Sequence, residues 1–430
     1  MRRLSVTSRL GGNDLCCHSR CDNSSTPMTP DRFRFNPEMM SMDPAHFKKV
    51  VYLDQFVISE IVNAIDPHAK AHARVDPFWR QVFEALERVS KLQLVVCPWS
   101  PIHRDESLLS GRFERLQQMY EHLANGVRFD HPSDVEQRQL GPALSAWLDG
   151  KEPPQHDLNP ERITNGGLHR WHGRIRVSVS MNHPPKEVRA LRQRRTRLHE
   201  SLSRWFEECR QRSDKTFEHA LKIEQAGYRD VLLETYRQRE TGQTELLRQV
   251  EAATGEPYPF EPESPVSLVG GPGSDLSYVI LESLKHRGVA KSDMGERLSA
   301  FLSSKHFQEM PINKTSTRLF ALIAHDAATH QKSPPDEGAA NDIDLVSAYL
   351  PYCDAMMIDK RTRLMLERGK YAANYRCRLF SRNTGDRFLD YLKSIEAEAD
   401  PMIPALVRAT YGEDWLKPYV TMFAPRTPDA

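Results

Sequence analysis

Carboxylates placed just beyond short apolar runs are the residues of this chain best suited to chemistry. Asp54 closes the run Val50-Val51-Tyr52-Leu53, Glu106 lies in the helix-forming stretch after Leu92 to Cys97, and Asp359 closes the run that begins at Tyr352. Asp342 and Asp344 open the helical stretch before that third run, and Asp354 stands near its beginning. In open α/β sheets, sites form beyond the carboxyl ends of strands, where such residues converge. Crowded carboxylates repel and raise one another's pKa, so a cluster of them calls for cations. Hard oxygen donors suit Mg²⁺ or Mn²⁺. Such ions turn water into a nucleophile and stabilise the leaving oxygen in phosphodiester hydrolysis, with no Ser, Cys or His nucleophile.

Each of these residues also has an ordinary reading. Asp54 and Asp342 would serve as helix caps, Glu106 and its rival Asp105 as first-turn acids, and Asp354 and Asp359 as turn residues bounding a strand. His103 reads as a capping or packing residue, with a phosphate contact as the alternative. Lys360 reads as a solvated lysine or as a phosphate ligand beside the metals.

The elements that must position the acids can be traced by periodicity. Val50 to Leu53 predicts a buried strand followed by a helix from Phe56; Phe78, Val82, Ala85, Leu86 and Val89 recur at helical spacing; Leu92 to Cys97 predicts a second strand. Ser100-Pro101 is an N-cap and first-turn pair, which sets His103, Asp105 and Glu106 in the first two turns of the next helix. Near the far end come a helix from Thr317 to about His330, a helix opening at Asn341, a strand from Tyr352 to Ile358, a short strand from Tyr375 to Phe380 and a helix from Asp386 to Ile395. Strand character is thus confined to the two ends of the chain.

Between them, residues 126–304 are charged and helix-forming, notably Lys186 to Arg212 and Phe217 to Ala252. From Arg170 to Arg212 there are eleven Arg and one Lys against four Glu, with Trp171 and Trp205 inside the stretch. This reads either as a phosphate-binding face with aromatic platforms for unpaired bases or as a solvated helix surface whose tryptophans pack. The whole chain, with 59 Lys and Arg against 58 Asp and Glu, names no partner by net charge. Gly270-Gly271-Pro272-Gly273-Ser274 lacks the Gly-Lys-Ser/Thr ending of a phosphate loop and reads as a turn.

Residues 1–45 have the composition of a disordered tail, and pattern begins only after Met40 and Met42, either of which would serve as a start. Cys16, Cys17, His18 and Cys21 within it have no second cluster at zinc-finger spacing. Seven cysteines, an odd number, predict reduced thiols and a cytoplasmic protein. No run approaches a membrane span, so no membrane partner is expected.

Tyr52-Leu53-Asp54, the stretch from Ser100 through Glu106, Asn341-Asp342-Ile343-Asp344, and Leu350-Pro351-Tyr352-Cys353-Asp354-Ala355-Met356-Met357-Ile358-Asp359-Lys360 together resemble a PIN-like domain. The resemblance covers residues 47–125 and 305–395. It implies an α/β fold with a PIN-like parallel sheet flanked by helices, split here by a mostly helical insertion at 126–304 and followed by a helical extension at 396–430. It also implies a Mg²⁺- or Mn²⁺-dependent nuclease of a kind common in bacterial toxin and defence systems. Carried over by position, the catalytic acids are Asp54, Glu106, Asp344 and Asp359, with Asp344 preferred to Asp342 for its spacing to the last acid. Asp354 joins those four as an additional metal ligand. The expected function is an endoribonuclease, with RNA ahead of DNA; the alternative is a catalytically inactive PIN-like protein that binds nucleic acid or a partner. An antitoxin or sensor protein and a homo-oligomer remain open as further partners.

Overall fold

A computed structural model describes residues 47–69, 76–171, 185–254 and 274–417. The N-terminal tail with its cysteines, the candidate start methionines and Gly270 to Gly273 lie outside the described residues.

The fold is built around strand β1 (Lys49–Leu53), whose Val50 to Leu53 are all buried. An uninterrupted apolar run is what a strand covered on both faces requires. It is flanked in parallel by β2 (Val95–Val96) and β5 (Ala355–Met357), and β5 pairs in parallel with β6 (Arg378–Phe380), giving the order β2-β1-β5-β6. The register sets Val51 beside Ala355, Tyr52 beside Met356 and Leu53 beside Met357. Residues some three hundred positions apart therefore meet at neighbouring strand ends. The architecture is α/β with a parallel sheet.

Helices α1 (Gln55–Ile65) and α2 (Phe78–Lys91) carry the chain from β1 to β2. After β2, α3 (Pro101–Leu109) and α4 (Phe113–Ala124) follow. Ser100 caps α3 as its spacing predicts: its side chain accepts from His103 N, Pro101 occupies the first turn, and the His103 ring accepts in turn from Ser100 N. A short antiparallel pair, β3 (Arg128–Phe129) and β4 (Thr164–Asn165), joins the sheet edge through a bridge between Trp99 and Arg128.

The inserted stretch is helical: α5 (Pro132–Leu148), α6 (Pro185–Arg210), α7 (Phe217–Thr254), α8 (Ser274–His286) and α9 (Met294–Leu302), followed by α10 (Lys305–Gln308). The chain returns to the sheet through α11 (Pro311–Thr329) and α12 (Ala339–Tyr349), and closes with α13 (Lys360–Arg368), α14 (Tyr371–Tyr375), α15 (Gly385–Ala397) and α16 (Ile403–Tyr411).

The two faces of the sheet bury different partners. Val51, Leu53, Val95, Ala355, Met357 and Phe380 pack with apolar residues of α1, α2, α4 and α15 such as Ile58, Leu86, Leu116 and Phe388. Val50, Tyr52, Val96 and Met356 pack with the insertion and α11 and α12, through residues such as Phe206, Phe301, Leu319 and Tyr349. His46 to Ala430 forms one compact unit.

Three expected strands are shorter than their apolar runs. Leu92 ends α2 and Gln93 turns with φ 63°, so β2 keeps only Val95 and Val96. Leu350–Tyr352 is a turn of 3₁₀ helix, so β5 starts at Ala355 and Asp354 precedes it. Tyr375 ends α14, and Arg376 turns with φ 57° before β6. The tryptophans of the basic stretch pack: Trp205 meets Phe320 edge-on and donates to Glu224, and Trp171 stacks on Tyr411. That removes both rings as open platforms for bases.

Candidate functional site

Asp54 and Asp359 leave the sheet from adjacent strands. Asp54 N donates to Met357 O (3.0 Å), which ties the end of β1 to the end of β5. Asp54 holds the N-cap position of α1, yet its side chain makes no capping bond; the simple capping role does not account for it. Asp359 does cap α13: Oδ1 accepts from Arg361 N (2.7 Å) and Thr362 N (3.1 Å). Its Oδ2 is buried without a partner. One carboxylate thus divides its oxygens between a helix end and an unsatisfied position beside the other acids, and a buried acceptor left unpaired costs about 1–3 kcal/mol unless something meets it.

Glu106 comes from the second turn of α3 and is held at both oxygens. Asn341 of α12 donates to Oε1 (3.1 Å). Gln55, its amide oriented so that both ends are satisfied, donates to Oε2 (2.8 Å) and accepts from Ser107 N (3.0 Å). Gln55 carries no motif in the sequence, and Asn341 stands there only as the first residue of the Asn341-Asp342-Ile343-Asp344 stretch, with no hint of its bond to Glu106.

The third acid is Asp342, and here the expectation for Asp344 is corrected. Asp54, Glu106, Asp342 and Asp359 lie within electrostatic reach of one another. Burial, then Glu106 and Asp359, push the Asp54 carboxyl up to about 7. Burial, then Asp54, Glu106 and Asp359, push Asp342 up to about 9. Burial raises Glu106 as well, against the Asn341 bond and the charge of Arg195. Asp344 lies two residues along the same helix, roughly 200° around its axis. It neighbours Arg194, Glu136 and Tyr228 instead, where burial, against the charge of Arg194, pushes its carboxyl up to about 6. Its spacing from Asp359 looked more suitable along the chain, but helix geometry turns it away.

Asp354 is the second correction. It sits at the entry of β5 while Asp359 lies past its exit, so at about 3.3 Å per residue the two are on the order of 15 Å apart. Its oxygens are taken by Val50 N (2.9 Å) and Lys49 Nζ (3.1 Å). Asp354 therefore stitches the starts of β1 and β5 and does not join the other acids. Asp105 turns its charge toward His131 as well as Glu106.

Buried hydroxyls underlie the acids. Tyr52 shares a face of β1 with Asp54, and its Oη lies 3.0 Å from His103 Nε2. Since His103 Nδ1 accepts from Ser100 N (3.4 Å), the neutral ring carries its proton on Nε2 and donates it to Tyr52. Burial lowers His103 to about 3, which keeps the ring uncharged. The ring also stacks on Tyr120, with centroids 5.1 Å apart. Tyr120 Oη is buried without a partner, close enough to Glu106 and Asp54 for their charge to raise it further. His103 thus packs and positions, as its capping role suggested.

The donor set fits a hard divalent cation: four carboxylates, one with a buried unpaired oxygen. Among the described residues no three His, Cys, Asp or Glu side chains already close on a single point tightly enough to hold an ion. Among the described residues no helix is long and apolar enough to cross a membrane. No protein-family model, no curated protein and no solved structure matches this chain.

Proposed function

We propose that this protein is a metal-dependent phosphodiesterase acting on nucleic acid, an endoribonuclease with a PIN-like arrangement of acids. One observation carries the reading: Asp54 and Asp359, at the ends of the adjacent parallel strands β1 and β5, lie within reach of the charges of Glu106 and Asp342, and burial together with these neighbouring carboxylates raises Asp54 and Asp342 far above the ordinary carboxylate range. At about 1.4 kcal/mol per pKa unit, shifts of this size amount to several kcal/mol of unfavourable charge. A fold keeps such a cluster when a cation uses it.

In this reading Asp54, Glu106, Asp342 and Asp359 hold Mg²⁺ or Mn²⁺. When bound, such an ion supplies a Lewis acid for the phosphoryl oxygens and lowers the pKa of water. Gln55 and Asn341 fix the direction of Glu106, and the α13 amides fix Asp359 so that its free Oδ2 faces the other acids. Tyr52 and Tyr120 are buried beneath the cluster and keep water from that side.

The test is cleavage of labelled single-stranded RNA and DNA by the purified protein with Mn²⁺, Mg²⁺ or EDTA, beside Asp54→Asn and Asp359→Asn. Metal-dependent cutting that both variants lose while folded is the expected result. Binding without cutting, unchanged by EDTA and by both substitutions, would replace this reading with that of an inactive nucleic-acid-binding protein.

A further inference from the structure

Two clefts open beside the acids, and each takes in one of them. The larger, about 590 Å³, is lined by Asp359 together with Lys360, Arg361 and Leu364 of α13 and by Gln331. The smaller, about 310 Å³, is lined by Glu106, Gln55 and Phe56 and by Arg195 of the basic helix α6. Each holds one of the acids and a guanidinium; the larger also holds Arg368, paired with Asp326, and Leu364, 41% exposed.

One segment, residues 331–338 between α11 and α12, faces both guanidiniums, and the buried Arg195 Nε has no hydrogen-bond partner. Arg195 Nε lies 3.1 Å from a Glu337 carboxylate oxygen, and Arg361 donates to Gln331 Oε1 at 3.4 Å. Neither hold is strong. The Arg195–Glu337 pair is more than a third exposed on both sides, where ion pairs contribute little, and the Gln331 bond is long.

A cluster of acids repels a polyanion unless cations stand on its approach. Arginine is the side chain suited to that task, because its planar fork grips a phosphate through two bonds. Apolar surface beside a guanidinium is usable only by bases free of a partner strand, since a duplex keeps its bases stacked inside.

Resting on the function proposed above, we propose that a single-stranded nucleic acid crosses the acids from one cleft to the other. Arg195 and Arg361 bind the phosphates on either side of the bond to be cut, and the exposed Leu364 receives a neighbouring base. Glu337 and Gln331 keep the guanidiniums aligned until phosphates displace them.

The experiment uses the full chain carrying Asp54→Asn, with Mg²⁺, so that substrate stays intact. Binding of a short fluorescein-labelled oligouridylate and of a matching oligothymidylate is read by anisotropy across a KCl series. Adding Arg195→Ala or Arg361→Ala is expected to weaken binding roughly tenfold and to lower the slope of log affinity against log salt by about 0.7 each, the value for one single-strand phosphate contact. The charge-keeping Arg361→Lys is expected to retain the slope. Glu337→Gln is expected to tighten binding, because it removes the carboxylate that competes with phosphate; a merely structural Glu337 would weaken it. Unchanged slopes in both alanine variants, with the oligonucleotide still bound, overturn the two anchors and leave the nuclease reading to its own cleavage assay. A duplex that competes as well as an unlabelled single strand overturns the commitment to unpaired bases. Absence of any binding, together with absence of cleavage by the wild type, removes both proposals.

Discussion

The residue on which the site turns is Asp342, because it distinguishes a cluster defined by geometry from one defined by spacing along the chain. Asp342→Asn is expected to lower cleavage at least a hundredfold, since a lost metal ligand forfeits several kcal/mol of transition-state stabilisation at about 1.4 kcal/mol per tenfold. Asp344→Asn is expected to stay within a few-fold of wild type, as its carboxylate neighbours Arg194, Glu136 and Tyr228 rather than the other acids. The opposite ranking, measured under one set of metal concentrations, would restore Asp344 to the ligand set. Gln55 and Asn341 act through Glu106, so alanine at either should cost about 10–100-fold in activity or metal affinity while a ligand variant costs more; the metal dependence of the rate should shift to higher concentration. The same acids set a pH dependence. With folded pKa values raised to about 7 for Asp54 and about 9 for Asp342, the native state holds protons that the unfolded chain has released. Their contribution is therefore favourable at low pH, falls as pH rises through this window and is fully lost above it. Buried histidines such as His103 act with the opposite sign, so the informative quantity is a difference. In EDTA, Asp342→Asn should melt above wild type by an amount that grows from about pH 5 to about pH 9. A difference that shrinks with pH would remove the repulsion argument.

At the scale of elements, the sequence carried the acids' addresses better than their directions. The unbroken apolar run of Val50 to Leu53 and the Ser100-Pro101 start of α3 are local signals, and each lies where it was expected. Three strands were overestimated because an apolar residue in a 3₁₀ turn or a helix end, such as Tyr352 or Leu92, looks the same along the chain as one in a strand. Asp354 was expected in the site through the family resemblance, whereas it lies ahead of β5, at the far end from the other acids. Gln55 left no trace and Asn341 only its place beside Asp342, since pairing Glu106 with both requires contacts between α1, α3 and α12 that only the assembled fold creates. The cap of α3 is an element-scale lever on the site. Ser100→Ala removes the acceptor for His103 N and is expected to cost about 1 kcal/mol, within the 0.5–2 kcal/mol range of such caps. Urea unfolding measures that loss. Because α3 carries Glu106, activity should fall further than the lost folded fraction explains; an unchanged specific activity would mean that the acid is held by Gln55 and Asn341 alone.

For the whole molecule, the helical insertion is part of the core that supports the acids. One face of the sheet, including Tyr52 beneath the cluster and Met356 beside it, shares its packing with Phe206, Leu298 and Phe301, residues more than a hundred positions from either strand or more than fifty from β5. Deleting the insertion would leave that face in water, at roughly 25 cal/mol for each Å² of apolar surface exposed. A compact domain cut free of it is therefore not expected to be stable. A point change tests the same dependence more gently. Phe301 is fully buried in the insertion, where truncation to alanine leaves a large cavity and typically costs about 3–5 kcal/mol. If insertion and sheet are one cooperative unit, Phe301→Ala should shift urea unfolding followed by secondary structure and unfolding followed by loss of cleavage to the same lower midpoint. Two separated midpoints, with cleavage lost at the wild-type concentration, would show that the insertion melts on its own and that the acids need only the sheet.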